Sequence, residues 1–416
     1  MRFGRDQAGR HASFASDRTR RPPSGMMRRV DRLLSIRGEV EAAVVPVASE
    51  SVPLAEATGR WLAEAARAVR AAPPSTCSAM DGYAVRSTDA AGRAALPVRQ
   101  VVYAGELPAP LAAGEAARIF TGATLPEGAD AVVREEAARI EGGLVRFRDT
   151  VRTGENVRRA GEDVPAGGLA LPPGTFVGPR QEALLAAVGA DPVVVRRRAR
   201  VAIVSTGDEV VSGRTPDSNG AALEGLVRGL GAEVVRRAAG DRLEAVSEAL
   251  AGALAACDAV VTVGGVSVGE RDLVPAALEG LGAAIRVHGV PMKPGKPFLF
   301  ALAGERPVFG LPGSPSACLV AFEVFARPAL LALAGAARRH RPALRLPLAE
   351  AASGKPGRAR FLWATLEADG RVRPVGRDAA QVRGPALADA LLYVPEGVGD
   401  LGAGAEVEAW LLGDGA

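Results

Sequence analysis

The sequence predicts a multidomain protein in which a doubly wound α/β domain with a parallel sheet is joined to β-rich domains. Its 416 residues suffice for two to four domains at roughly 150 residues each. Between residues 195 and 335 apolar runs alternate with helical segments, which is typical of a parallel sheet with helices on both faces. Before and after that region, Gly and Pro interrupt short apolar runs, which is typical of β structure.

The individual elements follow from hydrophobic periodicity and from punctuation by Gly and Pro. Helical patterns occupy residues 31–44 and 54–69. Within the α/β region the predicted strands are 201–205, 232–235, 259–263 and 285–290, and the predicted helices are 221–230, 243–256 and 273–281. Short strands at 361–366 and 406–412 predict a small C-terminal β-barrel-like domain.

These elements divide the chain into five segments, one of which is discontinuous because a β-rich insertion interrupts it. The predicted segments are a basic, disordered extension at 1–27, a helical linker domain at 28–72 with 150–194, the β-rich domain at 73–149, the α/β domain at 195–336 and the C-terminal β domain at 341–416.

Composition excludes several classes of protein. An apolar fraction of 48% is too high for a disordered chain. Charged residues, Gly or Pro interrupt every apolar stretch before it reaches the roughly 18 residues of a membrane span, so no membrane partner is expected. Cys77, Cys257 and Cys318 form no C-x-x-C pair, which argues against a disulfide framework or a thiolate zinc site. We therefore expect a soluble protein of a reducing compartment, the cytoplasm.

The positive net charge of +4 comes from the first 30 residues, which hold eight arginines and two aspartates. Without them the net charge is −2, and an aromatic fraction of 4% is too low for base-stacking platforms, so no nucleic acid partner is expected. The basic segment has three interpretations: an upstream start with Met26 or Met27 as the true one, a solvated tail, or a transit peptide.

Lysine is scarce in this arginine-rich chain, which holds 51 Lys and Arg residues and only three lysines. Two of them, Lys293 and Lys296, lie in the segment Pro291-Met292-Lys293-Pro294-Gly295-Lys296-Pro297. Both precede proline, which favours an extended backbone and limits where the ammonium groups can go. Paired cations of this kind suit a dianion such as phosphate or another oxyanion, in preference to the alternative of a solvated loop.

Three further loops follow strands of the predicted sheet, at the edge where open α/β sheets bind ligands. The first, Ser205-Thr206-Gly207-Asp208-Glu209, places two carboxylates there. Adjacent carboxylates can hold Mg²⁺ or orient a water molecule, but they also suit the N-terminus of a helix. From the residues alone the two interpretations stay open.

The second loop contains Gly264, Gly265, Ser267 and Asp272 and precedes a helix. Its glycines allow backbone N–H groups to approach an anion, so a phosphate cradle is favoured over a plain turn. The loop matches neither the P-loop pattern nor G-x-G-x-x-G, which disfavours ordinary ATP or dinucleotide binding.

The third loop, with Pro312, Ser314 and Pro315, also opens a helix, and it suits either anion binding or simple capping. Taken together, three anion-suited loops and one acidic loop at one sheet edge predict a phosphorylated substrate with a metal. In the β-rich region, Asp81 and Thr121 lie in Asp-Gly and Thr-Gly turns, where turn chemistry is the favoured interpretation from the residues alone.

The motifs in combination resemble the molybdopterin molybdenumtransferase family, the bacterial MoeA proteins and the E domain of gephyrin. The resemblance runs from about residue 30 to the C-terminus. Its most specific segments, in order, are 78–85 (SAMDGYAV), 118–130 (RIFTGATLPEGAD), 159–163 (RAGED), 205–209, 217–219, 264–270, 293–297 and 310–315.

The resemblance implies a reaction in which adenylylated molybdopterin is hydrolysed with Mg²⁺ and molybdate is inserted into its dithiolene, releasing AMP and molybdenum cofactor. It implies an α/β domain of the molybdopterin-binding type and an elongated homodimer of four-domain chains, with each site formed between the α/β domain of one subunit and the β-rich domain of the other. A molybdopterin adenylyltransferase is the expected protein partner.

The same resemblance assigns roles to individual residues. The residues implied around metal, pterin and adenylate are Asp81, Thr121, Asp163, Asp208, Glu209, Asp241 and Asp272, with Asp208, Glu209 and Asp241 as metal ligands. The residues implied to bind phosphate and molybdate are Gly264, Gly265, Ser267, Lys293, Lys296, Pro312, Ser314, Pro315 and Arg358.

The chain departs from the family pattern at two places that bear on molybdate. Ser314 stands where the family usually has Asn, and the segment Gln381-Val382-Arg383-Gly384-Pro385 lacks the Gly-Ser pair of relatives. Three alternatives therefore stay open beside the insertase: a pterin-binding paralogue without insertion, a gephyrin-like scaffold, and an adenylyltransferase. The preference between molybdate and tungstate is also open.

Overall fold

The computed structural model describes residues 31–90, 95–267, 269, 272–376 and 380–413, so the basic extension predicted at 1–27 lies outside the described residues. The helices are α1 (Arg32–Ala42), α2 (Ser87–Ala90), α3 (Pro179–Val188), α4 (Asp208–Val211), α5 (Ser218–Gly229), α6 (Leu243–Ala256), α7 (Val274–Gly280), α8 (Pro315–Ala321), α9 (Arg327–Leu333) and α10 (Arg383–Leu387).

The strands form several separate sheets along the chain. They are β1 (Ser49–Val52), β2 (Ala66–Arg67), β3 (Cys77–Ser78), β4 (Gly82–Val85), β5 (Leu96–Val102), β6 (Ala116–Ile119), β7 (Ala131–Arg134), β8 (Ala138–Glu141), β9 (Leu144–Phe147), β10 (Val157–Arg158), β11 (Leu169–Leu171), β12 (Val193–Arg196), β13 (Arg200–Thr206), β14 (Glu233–Ala239), β15 (Ala259–Val263), β16 (Ala284–His288), β17 (Met292–Lys293), β18 (Leu299–Ala303), β19 (Arg306–Leu311), β20 (Ala343–Pro347), β21 (Ala359–Leu366), β22 (Val372–Pro374), β23 (Ala390–Val394) and β24 (Glu406–Leu411).

The α/β domain is built on a six-stranded sheet with the order β14-β13-β15-β19-β18-β16. The first four strands are parallel, as the alternating pattern predicts, whereas β18 and β16 pair antiparallel and make the sheet mixed at one edge. The sheet is antiparallel there because β18 and β19 form a hairpin around Gly304 and Glu305, and a hairpin reverses the chain direction.

Alternating side chains of the central strands cover the two faces of this sheet. Val201 and Ile203 pack with α5 and with the helical segment 315–333, whereas Ala202 and Val204 pack with α6 and α7. Such period-two alternation with a helix layer on each side is the packing that the sequence pattern predicts.

One helical segment is long and apolar enough to cross a membrane by length and composition, residues Pro315–Leu333 with a mean hydropathy of 1.7. It consists of α8, a π-helical turn at Phe322–Ala326 and α9. Because 94% of its apolar window is buried inside the protein, it is a core helix of the α/β domain.

The β-rich region forms a six-stranded sheet with the order β7-β4-β6-β5-β9-β8. Its neighbours pair antiparallel except β5 and β6, which run parallel and end together at Val102 and Ile119. The loops that follow these two strands therefore meet at one end of the sheet, and Thr121 lies in one of them.

The helix predicted at residues 54–69 is wrong. Those residues form only a short 3-10 turn at Leu54–Glu56 and the strand β2, which pairs with β11. The apolar residues of this segment, including Leu54, Leu62 and Ala66, are buried in a small core with α3, so their spacing reflects packing from several directions rather than one helical face.

The C-terminal domain is a sheet with the order β17-β21-β23-β24-β20 and with β22 beside β21. Its strands are antiparallel apart from β17, which comes from the α/β part of the chain and pairs parallel with β21. That pairing sets Lys293 opposite Arg360 and so brings basic residues of two domains together.

Candidate active site

Two cavities lie on either side of the loop between β19 and α8, at the edge where β13, β15 and β19 end. The acidic cavity, of about 360 Å³, is lined by Ser205, Thr206, Gly207, Glu209, Val210, Thr215, Pro216, Asp217, Ser218, Asn219, Asp241, Val263, Gly264, Gly265, Asp272, Gly313 and Pro315. The cationic cavity, of about 340 Å³, is lined by Met292, Lys293, Pro294, Gly295, Lys296, Pro297, Pro312, Ser314, Ser316, Ala317, Lys355, Arg358, Arg360, Phe361, Leu362, Trp363, Gly376, Gln381, Gly384 and Pro385.

The acidic cavity collects carboxylates from loops after three different strands. Glu209 follows β13, Asp241 follows β14 and Asp272 lies in the segment after β15. Parallel strands end at a common edge, which explains how residues that are far apart in sequence come to line one cavity. Three of the predicted carboxylates are thus brought together.

Asp208 does not line either cavity. Its Oδ1 accepts a hydrogen bond from the backbone N–H of Asp241 at 3.0 Å, and the Asp208 N–H lies 3.5 Å from Oδ2 of Asp241. Both Asp208 and Glu209 lie in the first turn of α4, so the helix-start interpretation and the ligand interpretation each describe one of the two residues. Asp208 ties together the loops that carry Glu209 and Asp241.

The donor set of the acidic cavity fits a hard cation that is completed by its substrate. Within the described residues, no three His, Cys, Asp or Glu side chains are grouped closely enough to hold a metal ion by themselves. Mg²⁺ is commonly bound by one or two carboxylates together with substrate phosphates and water, so Glu209 and Asp241 suffice as protein ligands. Asp208 is the predicted ligand that the geometry does not support.

The glycine loop after β15 borders the acidic cavity. Gly264 and Gly265 have φ angles of +85° and +66°, and a Cβ on Gly264 would lie 2.9 Å from Thr206 Oγ1. The Asp272 Oδ2 accepts the backbone N–H of Gly269 at 2.7 Å, which closes the loop. Ser267, also predicted to bind substrate, is exposed and lines neither cavity within the described residues.

The loop of residues 312–315 forms a wall of both cavities. Gly313 and Pro315 face the acidic cavity, and Pro312 and Ser314 face the cationic one. The Asn219 side-chain amide donates to the carbonyl oxygen of Gly313 at 2.7 Å and so fixes this wall to the first turn of α5.

All three lysines of the chain line the cationic cavity. Lys293 and Lys296 come from the predicted anion segment, Lys355 from the C-terminal domain, and Arg358 and Arg360 join them on β21 and the turn before it. The lining contains no Asp or Glu, so the charge is uncompensated by carboxylates within the cavity wall. A cavity of this kind attracts a small anion.

The altered family segment also reaches this cavity. Gln381, Gly384 and Pro385 belong to its lining, whereas Arg383 does not. The segment that departs most from the family pattern therefore contributes an amide and backbone rather than a serine hydroxyl or the Arg383 guanidinium.

Asp81 and Thr121 contact each other in the β-rich domain. Oδ1 of Asp81 accepts hydrogen bonds from the backbone N–H of Thr121 at 2.7 Å and from its hydroxyl at 2.8 Å. These bonds, with a smaller contribution from Arg118, hold the pKa of the Asp81 carboxyl below its usual range. Asp81 is exposed and ionised, but it lines neither cavity of its own chain.

Asp163 is likewise apart from the two cavities. Its Oδ2 lies 2.5 Å from the Arg158 guanidinium, which also binds Glu162 at 3.2 Å. Asp81, Thr121 and Asp163 therefore share a place in the site only if a second copy of the chain completes it.

Several cavity residues were not among the predicted site residues. Lys355 and Asn219 had a signal, because the chain holds only three lysines and two asparagines, and Asp217 and Ser218 stand beside Asn219 in a family motif. Thr206 lies inside the acidic loop. Arg360 and Trp363 gave no signal, because strand pairing across domains brings them to the cavity.

Known proteins resemble the whole described length of the chain. The family models that match are the MoeA N-terminal region (domain I and II) over residues 29–189, a probable molybdopterin binding domain over 202–332 and the MoeA C-terminal region (domain IV) over 345–412. A molybdopterin biosynthesis MoeA protein from Pyrococcus horikoshii matches with a TM-score of 0.77 at 27% identity, covering 91% of this chain and 99% of that one.

Curated relatives agree with the family models. A molybdopterin molybdenumtransferase from Nostoc sp. is 41% identical over 312 residues, 71% of each chain. Molybdopterin molybdenumtransferase 2 from Mycobacterium tuberculosis is 35% identical over 409 residues, which cover 93% of this chain and 100% of the relative. With three matched regions in the same order and relatives aligned over nearly their full length, the chain belongs to the MoeA family of molybdopterin molybdenumtransferases.

Proposed function

We propose that this protein hydrolyses adenylylated molybdopterin and inserts molybdate into the dithiolene of the pterin, yielding molybdenum cofactor and AMP. The observation that carries the proposal is the pair of oppositely charged cavities that share the 312–315 wall. One reaction that consumes both a phosphoanhydride and a tetrahedral oxyanion needs two such sites side by side.

The acidic cavity is assigned to the pterin nucleotide. Gly264 and Gly265 offer backbone N–H groups to its phosphates, and Asp241, Glu209 and Asp272 surround the remaining space. A carboxylate-lined cavity would repel a phosphoanhydride unless a cation were bound with it, because like charges at close range cost free energy. The proposed nucleotide site therefore requires a metal.

Mg²⁺ is the proposed metal, held by Glu209 and Asp241. When bound, it supplies charge neutralisation of phosphoryl oxygens. Asp208 contributes by fixing the backbone of Asp241 rather than as a ligand.

The cationic cavity is assigned to molybdate. Lys293, Lys296 and Arg358 provide charge-assisted hydrogen-bond donors, and the absence of carboxylates from the lining leaves them available to a dianion. The placement of all three lysines of the chain in this wall supports the assignment.

A homodimer is part of the proposal. Asp81 and Thr121 form an ionised, exposed pair that lines neither cavity of its own chain, and a second subunit could present this pair to the acidic cavity. The β-rich domain then completes the nucleotide site in trans, as the resemblance implies. We further propose a cytoplasmic enzyme that receives adenylylated molybdopterin from an adenylyltransferase partner.

The test is a reconstitution with purified full-length protein, adenylylated molybdopterin, Mg²⁺ and molybdate, in which AMP release and activation of a molybdenum-free apoenzyme are followed separately. The Lys293→Ala, Lys296→Ala double variant is expected to lose cofactor formation. The control is Arg180→Ala, which removes an exposed cation from α3, far from both cavities in the fold.

The outcomes separate the proposed function from its alternatives. AMP and active cofactor from the wild-type protein, both retained in the control, support the insertase. AMP without active cofactor would instead indicate a pterin-nucleotide hydrolase that has lost insertion. Binding of the nucleotide with neither product would contradict the proposal and favour a binding paralogue.

A further inference from the structure

A hydrogen bond between two buried side chains closes one end of the cationic cavity. The indole Nε1–H of Trp363, on β21, donates to Oγ of Ser316, in the first turn of α8, over 2.8 Å. Ser316 is 4% exposed and Trp363 is 8% exposed, and both belong to the cavity lining. The contact joins the C-terminal domain to the α/β domain.

The chemistry of the two groups determines what the serine hydroxyl can still do. An indole N–H only donates, so Ser316 acts as the acceptor in this bond and its own hydrogen remains available. Within the described residues no acceptor lies within hydrogen-bond distance of that hydroxyl, since the contact with Trp363 is the one hydrogen bond made by Oγ. A buried hydroxyl hydrogen without an acceptor is costly and suits a ligand.

The surroundings of Ser316 determine the sign of that ligand. The wall of the same cavity carries three lysines and two arginines and no carboxylate. Lysine and arginine are also donors only. The groups that meet at this end of the cavity therefore offer hydrogens and have few places to accept one.

We propose that Ser316, oriented by Trp363, donates a hydrogen bond to the bound oxyanion and favours tetrahedral dianions that carry no proton over those that do. The inference rests on the proposed function only in assigning the cationic cavity to the oxyanion. Molybdate, tungstate and sulfate present acceptors alone near neutral pH, whereas inorganic phosphate carries at least one proton that needs an acceptor. Trp363 occupies the acceptor side of Ser316 and so withholds it from phosphate.

This arrangement makes Ser316 a binding residue and Trp363 a positioning residue. Replacing Trp363 by Phe keeps an aromatic ring in the wall but removes the N–H. The Ser316 hydroxyl can then turn and accept the proton of hydrogen phosphate, so selectivity decreases although the cavity keeps its cations. Replacing Ser316 by Ala removes the donor itself and weakens binding of every oxyanion.

The experiment is isothermal titration of full-length protein at pH 7 with tungstate, molybdate and inorganic phosphate, without pterin nucleotide. Ser316→Ala is expected to weaken molybdate binding by about tenfold, the effect of one hydrogen bond to a charged group. Trp363→Phe is expected to narrow the ratio of molybdate affinity to phosphate affinity by about fivefold, since a hydrogen bond to phosphate is gained as one orienting bond is lost.

The matched control is Trp61→Phe. Trp61 is also buried and also donates one hydrogen bond, to the carbonyl oxygen of Leu230 at 3.1 Å, but it lies outside the cationic cavity. Loss of a buried indole N–H is common to both variants, so only the Trp363 variant should change the affinity ratio. Melting temperatures of all variants monitor folding.

Two results would overturn the inference. One is an unchanged affinity ratio in Trp363→Phe with unchanged molybdate affinity in Ser316→Ala. The other is an equal change in the Trp61 control. In either case molybdate binding by the wild-type protein would leave the proposed function standing, whereas a wild-type protein that binds no tetrahedral anion would contradict both. If Ser316→Ala fails to fold, the ratio in Trp363→Phe still decides.

Discussion

The two cavities are nearly equal in volume and opposite in charge. The acidic cavity measures about 360 Å³ and carries Glu209, Asp241 and Asp272, whereas the cationic cavity measures about 340 Å³ and carries lysines and arginines. A wall of four residues, 312–315, separates them, and its residues alternate in the side they face. Charge of both signs is therefore concentrated close together without being mixed.

The separation keeps each set of charges available to a ligand. Within the described residues no lysine forms an ion pair with a carboxylate, whereas arginines elsewhere pair repeatedly, as Arg197 does with Asp258 at 2.6 Å. An ion pair across the wall would neutralise both sites. The comparison teaches that the arginines of this chain largely stabilise structure, whereas its few lysines are reserved for one surface.

The largest expected effect is a loss of function in one cavity only. Asp241→Asn keeps the size of the side chain but removes a charge that the acidic cavity needs for its metal, so AMP release should fall by about 100-fold, the scale of losing one preorganised electrostatic contact. Tungstate affinity of the cationic cavity should stay within about twofold. The assays are AMP release with Mg²⁺ and calorimetric titration with tungstate.

The control for this substitution is Glu244→Gln, an exposed acid in the first turn of α6. It removes the same charge near the same sheet edge without lining a cavity. If tungstate affinity fell in Asp241→Asn as much as AMP release did, the two cavities would not be separate sites.

An intermediate effect on both cavities is expected from Asn219→Asp. The carboxylate cannot donate to the carbonyl oxygen of Gly313, so the shared wall loses its anchor. AMP release and tungstate affinity should each fall by about five- to tenfold, the cost of one lost hydrogen bond with an acceptor left facing another acceptor.

The second asparagine of the chain provides the comparison for that variant. The Asn156 amide donates to the carbonyl oxygen of Val132 at 2.8 Å in the β-rich domain, and Asn156→Asp makes the same chemical change away from the wall. A selective effect on one cavity in Asn219→Asp would show that the wall is not held as one unit.

The smallest expected effect sets the pH range in which the cavities can be compared. Burial, together with Arg37, Arg327 and Arg339, lowers the pKa of His340 to about 4. Because the folded pKa is below that of the unfolded chain, the free energy of unfolding decreases as the pH falls from 6.5 towards 4. His340→Gln removes this dependence.

The measurement is the melting temperature of both proteins at pH 7.5 and pH 5. The wild-type protein should lose about 1–2 °C more than His340→Gln on acidification, a small difference because the side chain is half-exposed and its charge is screened. Equal losses in the two proteins would show that His340 is protonated as readily in the folded chain as in the unfolded one.

Much of the α/β domain follows from the sequence. The strands β13, β14 and β15 and the helices α5, α6 and α7 lie within a few residues of their predicted positions, because buried parallel strands and amphipathic helices leave periodic signals. The ligand-bearing loops follow from the same reasoning, since strand ends define the sheet edge.

Other features depend on contacts that no local pattern encodes. The hairpin of β18 and β19 was not predicted, because a short apolar run gives no direction of pairing. Ser316 and Trp363 are 47 residues apart and meet only through the packing of two domains. Asp208 looked equivalent to Glu209 in sequence, but the backbone N–H of Asp241 engages its carboxylate.

The two-residue strand β17 has a consequence for how this protein can be divided. It continues the chain of the α/β domain yet forms an edge of the C-terminal sheet, so a cut near residue 341 removes four of the five basic residues' common framework rather than a free-standing module. A C-terminal domain exchanged with a relative would have to match β17 in register as well as in fold. Inheritance of the two parts as a pair, rather than shuffling of interchangeable modules, is what this seam favours.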